Sequence, residues 1–166
     1  MATKKIPTKN YLIVLGMILL IISACFAIYN LTNIYQDNKI TKSVFNKNEI
    51  KYEDLGNITK DMSADTFLII GYTQDSKVYQ NEKEIKQLLK KQNLLDHVLY
   101  LDLSDKKTEE NIIEELNNTL KLENADKITE IPALVFYREG KVTKVISNGV
   151  RKDDIAQIID MYSLAG

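Results

Sequence analysis

Few side chains in this sequence could do chemistry. Cys25 is the single cysteine and His97 the single histidine among 166 residues. One thiol excludes an internal disulfide, and one thiol with one imidazole excludes an ordinary structural zinc site. His97 opens the apolar run His97–Leu103 and reads as a strand-end residue. Hydroxyl chemistry would have to come from Tyr72-Thr73-Gln74-Asp75-Ser76, a polar stretch between an apolar run and an amphipathic one. Asp75 and Ser76 there suit a helix start, with Ser76 as the cap. The sequence identifies no catalytic histidine beside Ser76 that would activate it as a nucleophile. Paired acids occur at Glu109-Glu110, Glu114-Glu115 and Asp153-Asp154. Neighbours on a helix point about 100° apart, so such pairs line solvated faces and make no acid–base couple. Gly56, Gly71, Gly140, Gly149 and Gly166 stand alone, so there is no phosphate loop. No metal or cofactor is expected.

Charge is distributed unevenly behind a net of −1. Residues 1–10 carry Lys4, Lys5 and Lys9 without an acid, whereas residues 51–166 sum to −5. An acidic body without a run of Lys and Arg argues against nucleic acid as a partner.

Residues 11–29 read YLIVLGMILLIISACFAIY, nineteen positions without a charge. A helix of that length crosses a bilayer core at ~1.5 Å per residue. The lysines before it, unmatched just after it, keep residues 1–10 in the cytoplasm and export the remainder. A second reading stays open. Ile22-Ser23-Ala24-Cys25 resembles a bacterial lipobox, in which the cysteine is lipidated and the residues before it are removed. Phe26-Ala27-Ile28-Tyr29 departs from the small or polar residues usual after that cysteine. A cleaved, secreted form is the third reading. The two leading ones tether the body to the outer face of a cell membrane.

The expected organisation is a cytoplasmic segment 1–10, a signal anchor 11–29, a stalk 30–49 and a domain 50–166. Within the domain, Ile50–Tyr52 is a short extended candidate and Glu53–Asp61 is helix-like. Thr66–Tyr72 is a continuous apolar run, as in a strand covered on both faces. Lys77–Gln92 sets Val78, Ile85, Leu88 and Leu89 on one helical face. His97–Leu103 is a second apolar strand, and Thr108–Leu120 a second amphipathic helix with Glu109 and Glu110 in its first turn. Ala133–Arg138 and Lys141–Ser147 flank Glu139-Gly140 as a hairpin, and Asp153–Met161 is a closing helix. The order is βαβαβαββα, an α/β domain with a mixed central sheet and helices on both faces.

That order, with Ile131-Pro132-Ala133-Leu134-Val135-Phe136-Tyr137 and then Glu139-Gly140-Lys141, resembles the thioredoxin superfamily over about residues 50–163. With its anchor, the chain is also similar to small bacterial thioredoxin-like proteins such as bacteriocin transport accessory proteins. The abundance of Lys, Asn and Ile suits a bacterial protein. The resemblance implies that Pro132 follows a cis peptide bond and lies beside the site. It also implies a Cys-X-X-Cys where this chain has residues 71–78, GYTQDSKV, with no cysteine. A thiol at a helix start has its pKa lowered from ~8.5 to ~3.5–7.5, which supplies the attacking thiolate. A Ser or Thr hydroxyl cannot replace it. The acid that thioredoxins bury in the preceding strand is absent from Phe67-Leu68-Ile69-Ile70.

What remains by resemblance is the binding of an extended peptide, with Ile131 and Pro132 as one wall and Tyr72 to Ser76 as the other. The sequence therefore points to a redox-inactive binding or accessory module for exported proteins or a membrane complex. The alternative is an oxidoreductase accessory working beside a cysteine-bearing partner, for example in export of a disulfide-containing peptide. A hydrolase or transferase using the Thr73–Ser76 loop is a third option.

Overall fold

The structure is a computed structural model and describes residues 8–37, 39–60, 62, 64–123 and 126–164. The chain divides into two compact units between Lys39 and Ile40. In the first, α1 (Thr8–Asp37) is a single helix of 30 residues. Its stretch Tyr11–Gln36 has a mean hydropathy of 2.8, so it is long and apolar enough to cross a membrane. The hydroxyls of Ser23 and Thr32 donate back to the carbonyls of Leu19 and Ile28, at 2.9 and 2.8 Å. Such bonds satisfy the few polar groups of an apolar helix. The helix runs past Tyr29 to Asp37, through the first part of the expected stalk. Lys4 and Lys5 of the basic start lie outside the described residues.

In the second unit the elements run β1 (Glu49–Ile50), α2 (Leu55–Ile58), β2 (Thr66–Gly71), α3 (Ser76–Lys91), β3 (Val98–Asp102), α4 (Ile112–Leu120), β4 (Ala133–Arg138), β5 (Lys141–Ile146) and α5 (Lys152–Tyr162). The sheet order is β1-β3-β2-β4-β5. The first three strands pair in parallel, and β4 joins β2 antiparallel before turning into β5. This is the expected βαβαβαββα domain with a mixed sheet. Strand β2 sits at its centre, which is why its sequence is apolar without alternation.

Alternation along each strand divides the core into two layers. Phe67 and Ile69, with Tyr100, Leu134 and Phe136, meet Ile85 and Leu89 of α3 and Ile155, Ile158 and Ile159 of α5. Leu68 and Ile70, with Leu101 and Val135, meet Leu116 and Leu120 of α4 and Leu55 of α2. The β4–β5 turn places Glu139 at φ 51° and Gly140 at φ 76°, the left-handed pair a two-residue hairpin needs. A Cβ on Gly140 would also come 2.9 Å from the Met62 carbonyl oxygen.

Several boundaries differ from the sequence expectation. Residues 40–49 belong to the second compact unit rather than to a stalk: Phe45 is buried in its core. The first strand is Glu49–Ile50, and Tyr52–Asp54 is a 3-10 turn leading into the four-residue α2. The expected helical end at Asp61 lies outside the described residues. His97 closes a 3-10 turn before β3, its Nδ1 2.7 Å from the Asp65 carbonyl. Glu109 and Glu110 precede α4, whose first turn instead holds Glu114 and Glu115.

Candidate functional site

Strands β2 and β3 end together, and the chain leaves β2 through Tyr72, Thr73, Gln74 and Asp75 before α3 begins. Polar bonds fix that loop. The Thr73 N–H donates to Ser104 Oγ at 2.7 Å, and the two hydroxyls are 2.7 Å apart. Ser104 Oγ donates to Asp102 Oδ1 at 2.5 Å, so Thr73 Oγ1 is the donor to Ser104. Gln74 takes a left-handed conformation, φ 64°, and its N–H donates to the Ile40 carbonyl at 2.9 Å.

Asp75, not Ser76, caps α3: its carboxylate accepts from the N–H groups of Lys77 and Val78 at 2.9 and 3.0 Å. An acid at this position satisfies orphan amides and complements the helix dipole together. Ser76 is the first helical residue. Thr73 and Ser76 stand past the C-terminal end of β2, whereas His97 stands before the N-terminal end of β3. In a parallel pair these are opposite ends, so no imidazole serves those hydroxyls.

The Ile131–Pro132 peptide bond is cis. Pro132 helps line a cavity of about 300 Å³ whose other walls include Gly71, Val78, Glu82, Ile85 and Val150. The lining is mostly apolar. Asn81 closes one side by donating its side-chain amide to the Val150 carbonyl. Of the residues expected to form the site, Pro132 alone lines this cavity. Tyr72 and Ile131 are half-buried against the opposite core layer. Thr73 is buried in its bonds to Ser104, and Gln74 and Asp75 are exposed. Burial raises the Tyr72 phenol above its ordinary pKa of 10.0. Cys25 lies in α1, exposed.

Sequence reasoning missed Glu82. It is 5 % exposed, on the core face of α3 with Ile85 and Leu89. Its Oε2 accepts from Ser43 Oγ at 2.7 Å and from the Val44 N–H at 3.3 Å. Burial holds its carboxyl above the ordinary 4.5, outweighing the hydrogen bonds from Ser43 and Val44 that lower it. Beside it Tyr100 is fully buried. Burial first, then the Glu82 carboxylate, pushes the Tyr100 phenol far above its usual range. Its hydroxyl, close enough to Glu82 and Ser43 to feel both, makes no hydrogen bond of ordinary geometry among the described residues, and a Cβ on Gly71 would come 2.8 Å from that oxygen. The missed signal was spacing. Val78, Glu82, Ile85 and Leu89 follow the period of one helical face, with an acid in a core position.

The chain is similar in structure to several thioredoxins. With thioredoxin O2 from Arabidopsis thaliana in its oxidized state it shares 14 % identity over 69 % of this chain and 93 % of that one, at a TM-score of 0.46. With thioredoxin f2 of Chlamydomonas reinhardtii it shares 12 % over 71 % and 97 %, at 0.48. No protein-family model and no curated protein matches the sequence. The fold follows from the strands themselves. Parallel β1, β3 and β2, antiparallel β4 and β5, and a proline opening β4 define it. The fold is thioredoxin-like. Its loop after β2 reads Tyr72-Thr73-Gln74-Asp75-Ser76, with no thiol.

Proposed function

We propose that this chain is a membrane-anchored, extracytoplasmic binding module. In this reading a thioredoxin-like domain engages a segment of an exported protein or of a membrane complex without redox chemistry. The observation that carries it is the apolar cavity beside Pro132, open next to a loop that holds hydroxyls where thiols would react. Its apolar walls suit a side chain of an extended peptide lying along the end of the sheet. Pro132 faces that peptide from the cavity wall, and α1 keeps the domain where exported chains emerge.

Site-specific photo-crosslinking in cells tests the proposal. The probe belongs at position 77, on the cavity rim, with position 110 on an exposed stretch as control. The expected result is a discrete adduct from 77 alone, competed away by an excess of the captured peptide. Equal, diffuse labelling at both positions would overturn the reading.

A further inference from the structure

Tertiary structure assembles a positive surface that no run of sequence contains. Lys83, Lys86 and Lys90 recur along one face of α3, and the segment just before β1 lays Lys42 beside them. Together they line a groove of about 530 Å³ that also holds Tyr79 and Gln87. No carboxylate lies within 4.0 Å of any of the four ammonium groups among the described residues. Glu82 is buried and bonded to Ser43 and Val44, two residues of the groove wall. Lys86 is held in place, donating to the Val44 carbonyl and lying 5.9 Å over the Phe45 ring. Lys83 lies 5.6 Å over the Tyr79 ring. Lys83, Lys86 and Lys90 belong to residues 51–166, which sum to −5, so this groove stands against the sign of the rest of that stretch.

We infer that this groove docks the domain on anionic phospholipid headgroups of the membrane that holds α1. The inference rests on reading α1 as a membrane anchor. Lys42 stands five residues after Asp37, the last of α1. A chain advances at most ~3.3–3.6 Å per residue, so so short a tether keeps the lysines at high effective concentration near the bilayer surface. Tyr79 and the aliphatic stems of the lysines suit an interface that is apolar on one side and charged on the other. A polybasic surface on a domain tethered to a membrane gains from an anionic leaflet, and each lysine near the surface contributes about a fivefold factor in occupancy. Nucleic acid lacks both the tether and the apolar side of that interface.

The full chain, with Cys25→Ser and a nitroxide at Gln87→Cys, is placed in nanodiscs. One set is phosphatidylcholine and the other adds phosphatidylglycerol; Glu110→Cys is the control position. Docking predicts shielding of position 87 from a water-soluble relaxant in the anionic discs, with position 110 unshielded. Shielding should vanish at about 1 M salt, where the screening length falls to ~3 Å. It should vanish also when Lys42, Lys83, Lys86 and Lys90 all become Gln, and persist when all four become Arg. Equal exposure of position 87 in both lipids overturns the inference. Failure of the chain to enter phosphatidylcholine discs refutes the anchor separately. In that case salt-reversible flotation with phosphatidylglycerol vesicles still supports the groove, and no flotation overturns it.

Discussion

Glu82 shows how one side chain can couple several parts of the domain. It takes a core position on α3, receives Ser43 and Val44 from the segment that follows α1, and borders the cavity beside Pro132. Burial sets its folded-state pKa above 4.5, the value for a free side chain. Well below that value the carboxyl is protonated both folded and unfolded. As pH rises through the higher folded-state value, the unfolded chain ionises first and stability is lost. Glutamine keeps an acceptor for Ser43 and does not titrate. Glu82→Gln should therefore gain stability relative to the unaltered chain as pH climbs from about 4.5, with the difference levelling off once the carboxyl is ionised in both states. Urea unfolding in a pH series measures it, and a difference independent of pH would contradict the expectation.

At the scale of elements, caps and bridges decide where helices begin and what the long connections cost. Asp75→Ala removes an exposed cap from α3 and should lower stability by ~0.5–2 kcal/mol. Asn117→Ala should cost more. Its buried amide accepts from the Ile128 N–H at 2.8 Å and donates to the Ile128 carbonyl at 2.9 Å. Without it two buried backbone groups lose partners, at ~1–3 kcal/mol each. Unfolding midpoints of the two variants, at equal m-values, should fall in that order. The same distinction explains which boundaries were legible. Ala133–Arg138 was read to the residue because a proline precedes it and a left-handed turn follows. The start of α4 was placed too early. The stretch after β3 is spent on a 3-10 turn anchored by Ser104, which is committed to Asp102 and Thr73.

For the whole molecule, the missing thiol pair has a direct consequence. Cys25, in the apolar helix, cannot complete a disulfide with any other cysteine of the same chain. The full chain in detergent should reduce insulin with dithiothreitol no faster than buffer does, and Cys25→Ser should change nothing. A rate above that background, abolished by Cys25→Ser, would restore an oxidoreductase role beside a partner.

Hydropathy and periodicity alone determined the membrane-length helix, the βαβαβαββα order and the absence of a thiol pair. Each depends on residue type or on a spacing of two or 3.6 residues, and both are local properties. The site was not local. The sequence placed Tyr72, Ile131 and Pro132 on facing walls, but Tyr72 and Ile131 pack against one core layer while Pro132 borders a cavity on the other. Which face a residue takes at the end of a strand depends on how the loop is tied, here by Ser104, thirty-one residues from Thr73. The lysine groove likewise joins Lys42 to Lys83, Lys86 and Lys90. Only the packing of the segment before β1 against α3 brings those charges together, because buried Phe45 and the Glu82–Ser43 bond hold the two in place.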